Sequence, residues 1–124
     1  MNLLLILVIL GTVIMSAVAQ VTLKAAVSSP AIAAGSAEGF LPTALAVAGS
    51  PFVWIGLSIY GASIFAWMWV LSKVDVSVAY PFVGISFILT AVMGALVLHE
   101  NITPLRIAGT LLVALGCFLI VRSA

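Results

Sequence analysis

A bundle of four transmembrane helices, all-α and integral to the membrane, is the architecture this chain encodes. Of its 124 residues, 65% are hydrophobic and 6% charged, with a mean hydropathy of +1.45. A helical span needs about 20 apolar residues, so four spans take roughly 80 and leave no room for a soluble domain. Residues 1–124 therefore read as one membrane domain whose chemistry sits within the bundle. The single cysteine, Cys117, lies in an apolar run, which excludes an intrachain disulfide and supplies no metal-ligand cluster. No cofactor, metal or enzymatic activity is expected. A net charge of +1 without a basic run gives no footprint for nucleic acid.

The first span runs from about Leu3 to Ala26 and carries a polar column, Thr12, Ser16, Gln20 and Lys24. Residues four apart on a helix lie nearly above one another, so these side chains form one stripe. Polar groups inside a membrane turn toward a bundle interior or an aqueous cavity, which makes the stripe a candidate substrate path. The simpler reading has Lys24 snorkelling to the interface and the others bonding to neighbouring helices. Ala17-Val18-Ala19 resembles a signal-peptidase site, but no Lys or Arg precedes the apolar run and the first span is read as retained.

Residues 27–49 form the one long connection, rich in Ala, Gly, Ser and Pro and carrying Glu38. Within it, residues 40–48 can form a short interfacial or re-entrant helix, with Pro42 restricting its start. A lateral gate is the functional reading and a surface loop the plainer one.

The second span covers residues 51–72, opened by Ser50 as cap and Pro51 as first helical residue. Gly56, Tyr60, Ser63 and Trp67 recur on one of its faces, while Trp69 suits an aromatic belt. After the short Lys73–Asp75 turn, the third span covers residues 76–98, with Pro81 in its first turns, where a missing donor is tolerated. Tyr80 stands at its start, Gly84 permits a bend or close contact, and Ser86 and Thr90 share a face. The fourth span, residues 104–121, again opens with a cap and a proline, Thr103-Pro104. Its Gly109 and Gly116 lie seven apart on one face, suiting either a dimer seam or packing within the chain.

Charge does not orient these spans. Lys73 and Arg122 fall on one side, Lys24 and Arg106 on the other, a balance compatible with an antiparallel pair or with orientation by a partner. Four helices are also few to enclose a pathway, so a homodimer or a heterodimer with a sister subunit is expected.

These segments resemble the small multidrug resistance branch of the drug/metabolite transporter superfamily over nearly the whole chain apart from residues 27–49. The resemblance rests on Gly11 through Lys24, on Val78-Ala79-Tyr80 and on Gly109 to Gly116. One departure matters. The drug exporters of that branch carry a mid-helix glutamate that binds proton or cationic drug, and Ser16 stands at the matching place. Ala19-Gln20 followed by Lys24, then Ala79-Tyr80-Pro81, then His99-Glu100 followed by Pro104, are more similar to the lipid-linked sugar flippases typified by the aminoarabinose-phosphoundecaprenol flippase subunits.

The resemblance implies a flippase that carries a polyprenyl-phosphate-linked sugar, an aminoarabinose-like one among the candidates, across the bacterial inner membrane. Physical chemistry points the same way. Coupled cation export needs an embedded acid, and Glu38, Asp75 and Glu100 all fall outside the spans. An embedded lysine suits an anion, here the lipid phosphate at Lys24. Gln20, Ser16, Tyr60 and Tyr80, with Ser63 and Trp67 on the facing span, then serve the sugar, while His99 and Glu100 stand where a basic or hydroxyl-bearing headgroup leaves. Glu100 equally suits a plain polar loop before a helix N-terminus. The competing functions are an exporter of small polar or cationic molecules and a non-transporting assembly subunit.

Overall fold

The computed structural model describes residues 2–123. Helix α1 spans Leu3–Val27, and at its start the Asn2 side-chain oxygen accepts the Leu5 N–H at 2.9 Å. Its 25 residues give a length of about 37 Å, enough to cross a hydrocarbon core of about 30 Å. The connection that follows is a helical hairpin, α2 at Pro30–Glu38 and α3 at Phe40–Ala48. The sequence suggested the second of these and not the first. Gly39, at φ 127°, provides the sharp corner between them.

Helix α4 spans Pro51–Leu71, with Pro51 as its first residue. Ser50 stands at the cap position but makes no side-chain cap bond there. The third span is broken into α5 at Val76–Ala79, a 3-10 turn at Tyr80–Val83 and α6 at Gly84–Leu96. Pro81 has no N–H to give to the preceding turn, and the backbone tightens there rather than continuing as an α-helix. Helix α7 spans Pro104–Ser123, and the Thr103 hydroxyl oxygen caps it by accepting the Arg106 N–H at 3.2 Å. Among the described residues four helical stretches are long and apolar enough to cross a membrane: α1, α4, α5 through α6, and α7.

Helix α1 is the axis of the bundle. Both α4 and α6 pack along it, no comparable contact joins α4 to α6, and α7 hangs on the outer side of α6 and the 3-10 turn. At one end Leu5, Ile9, Val13, Val70 and Ala79 form a buried cluster that ties α1 to the end of α4 and to α5. At the other end Ala26, Ile32 and Val53 tie α1 to the hairpin and to the start of α4. The indole N–H of Trp54 adds a 2.8 Å bond to the Ala48 carbonyl, fixing α3 to α4. Close approach of α6 and α7 depends on Gly84, where an added Cβ would lie 2.7 Å from the Cys117 Cβ.

Helix α7 has no buried residue. An added Cβ at Gly109 or Gly116 would meet nothing within 4 Å, so packing within the chain is not what these two glycines provide. The close approach inside the molecule is made one residue beyond Gly116, at Cys117.

Candidate functional site

The gap left between α4 and α6 is a groove. Its volume is about 250 Å³, and its polar lining is Thr12, Ser16 and Gln20 from α1, Tyr60 and Ser63 from α4, Tyr80 from the 3-10 turn, and Ser86 and Thr90 from α6. Trp67 closes one wall. The stripe of α1 thus faces the facing stripe of α4, as both periodicities require, and the third span completes the walls. No residue of α7 lines the groove. Because α4 and α6 each lean on α1 without meeting comparably, the groove is open along its side.

A smaller recess of about 130 Å³ continues from it, lined by Gln20, Lys24, Thr90, Gly94 and Glu100 among others. Gln20 and Thr90 belong to both spaces, so the polar lining runs without a break from Thr12 to Lys24. Twelve residues of helix rise about 18 Å, more than half the hydrocarbon thickness of about 30 Å.

The serine and threonine hydroxyls of this lining are already engaged as donors. Thr12 donates to the Val8 carbonyl at 2.8 Å, Ser16 to Val13 at 2.9 Å, Ser63 to Tyr60 at 2.7 Å, Ser86 to Val83 at 2.6 Å and Thr90 to Ser86 at 2.7 Å. Each proton is spent on the helix's own backbone, which leaves the oxygen lone pairs for the groove. The wall is therefore rich in acceptors and suits a ligand that donates, such as a polyol or an ammonium group. Lys24, in the last turn of α1, supplies the positive charge at the open end. That position also favours a cation near the helix C-terminus.

Ser16, Gln20, Tyr60, Ser63, Trp67 and Tyr80 thus meet in one groove, and Lys24 and Glu100 meet in the recess beside it. His99 lines neither space; it is exposed in the connection at φ 55°. Glu100 falls outside the spans, as expected, yet its side chain reaches back to one. Its backbone lies in the connection, but its carboxylate lies over Gly94 of α6, where Oε2 is 2.7 Å from the position of an added Cβ. The left-handed residue before it turns the chain back, and the Glu100 N–H donates to the Gly94 carbonyl at 3.0 Å. Ser86 and Thr90 join the lining as well; their shared face in an apolar span was the signal for them.

The profile of the EamA-like transporter family matches residues 2–122. A protein of Pseudomonas savastanoi pv. phaseolicola, named a probable 4-amino-4-deoxy-L-arabinose-phosphoundecaprenol flippase subunit ArnE, is 30% identical over 118 residues, covering 95% of this chain and 97% of its own. A protein of the same name from Pseudomonas aeruginosa is 31% identical over 116 residues, 94% of this chain and 96% of its own. A third, from Enterobacter, is 35% identical over 69 residues, 54% of this chain and 64% of its own. No solved structure gives a significant match.

Proposed function

Because this chain belongs to the EamA-like transporter family, we propose that its groove passes the headgroup of a polyprenyl-phosphate-linked sugar across the bacterial inner membrane. One observation carries this reading above the others. The polar groove is open along its side between α4 and α6 and ends at a lysine. A lipid whose chain stays in oil while its phosphate and sugar cross needs such a side opening, since irregular polar surface in a bilayer is stable only where it is covered or wetted. Lys24 takes the phosphate, and Gln20, Ser16, Tyr60, Ser63, Trp67 and Tyr80 take the sugar, its hydroxyls donating to the acceptor wall. The relatives named above carry the same assignment in their names, with an amino sugar on undecaprenyl phosphate as the cargo.

The relatives are named as subunits. A second copy or a sister subunit covering Gly109 and Gly116 of α7 is the corresponding arrangement here, since both glycines are open. The decisive measurement is flipping of a labelled polyprenyl-phosphate sugar in proteoliposomes. Lys24→Gln removes the charge while keeping much of the stem, and it should abolish flipping with expression and oligomerisation intact. Flipping at the wild-type rate would reduce Lys24 to an interfacial anchor. Export of small cations finds one support, the Glu100 carboxylate in the recess. Uptake of a polyamine without lipid flipping would select that alternative.

A further inference from the structure

The recess at the end of the groove holds both signs of charge. Lys24 reaches it from α1, and Glu100 is laid into it by the turn at His99 and by the missing side chain of Gly94. Lys24 and Glu100 are both exposed where they line it, so a ligand entering the recess meets both charges. The other charged or titratable groups nearby are His99, exposed on the same connection, and Arg106 in the first turn of α7, whose guanidinium donates to the Asn101 carbonyl at 3.4 Å. A phosphate drawn to Lys24 therefore enters a space that Glu100 has already made neutral, and it meets a carboxylate there.

We propose that Glu100, seated on Gly94, sets the charge this recess accepts: a phosphate enters with a compensating positive charge, an ammonium group carried by the ligand. The proposal rests on the phosphate reading of Lys24 and deepens it. Glu100 is a specificity-determining residue in this scheme, and Gly94 is a positioning residue that acts through it.

The test uses the full chain in phosphatidylcholine nanodiscs and measures binding of undecaprenyl phosphate, phosphatidylglycerol, ethyl phosphate and aminoethyl phosphate at neutral pH. Wild-type protein should prefer aminoethyl phosphate to ethyl phosphate. Glu100→Gln should bind undecaprenyl phosphate a few-fold tighter and erase the preference for the amine. Gly94→Ala, which displaces the carboxylate, should move both readouts in the same direction. The two lipids and the two soluble phosphates separate a site for lipid carriers from one for any phosphate, and the charge rule is expected in whichever binds. An unchanged affinity and amine preference in Glu100→Gln, or no binding by either protein, overturns the proposal. Lys24→Gln at full affinity would instead sink the phosphate reading beneath it.

Discussion

At the scale of single residues, the site is defined by which charges it has and where. Ser16 occupies the middle of α1, beside the Val13 carbonyl to which it donates, and a hydroxyl does not exchange a proton near neutral pH. Vesicles loaded with this protein should therefore show no proton release when a hydrophobic cation is added; robust release that survives Ser16→Ala would overturn the argument. Lys24→Arg should keep part of the flipping lost in Lys24→Gln, because the charge remains while the planar fork presents a different geometry to phosphate. An arginine variant as dead as the glutamine one would mean that shape rather than charge is read at this position. The α1 stripe was legible in the sequence because four polar residues at a spacing of four in an apolar span admit few arrangements. Glu100 was singled out too, but its seat over Gly94 was not legible. Its place depends on a left-handed His99 and on an absent side chain at Gly94, a contact closed by the turn that no periodicity announces.

At the scale of elements, the third and fourth spans are held by a contact without slack. Gly84→Leu drives a side chain into Cys117, whose Cβ already lies 2.7 Å from an added Cβ, and should separate α7 from α6. Overpacking of this kind costs about 1–3 kcal/mol, readable as a lower unfolding midpoint of the solubilised protein in mixed micelles. An unchanged midpoint would show that α7 docks elsewhere. The spans themselves could be read from length and apolarity; the interruption at Tyr80–Val83 could not, since Pro81 reads as tolerated in the first turns and Gly84 as the place for a bend. Helix α2 was harder to foresee, since Ala, Gly and Ser fill it without an apolar period. Burial of Ile32 against Ala26 and Val53 orders it, a contact between segments distant in the chain.

At the scale of the whole molecule, the same residue type plays opposite parts on the two sides of α7. No atom lies within 4 Å of a Cβ added at Gly116 or at Gly109, which also lines a space of about 350 Å³ with Phe87, Thr90 and Glu100; Gly109→Leu and Gly116→Leu should leave the fold intact while weakening association of subunits by blocking close approach. Crosslinking in membranes reads the effect, and unchanged yield in the double variant would move the seam to another face. The groove itself has a consequence for speed. Five serine and threonine oxygens line it beside the two tyrosines, and on the proposed path each would be worth about 1 kcal/mol to a headgroup that has left its water behind. Together the five would lower the crossing barrier by about 5 kcal/mol, a rate gain of several thousandfold, each alone contributing only about fivefold. Turnover is then a product of small factors with no dominant member: Ser16→Ala, Ser63→Ala and Thr90→Val should each slow flipping a few-fold, and the triple variant should be slower by roughly the product of the three.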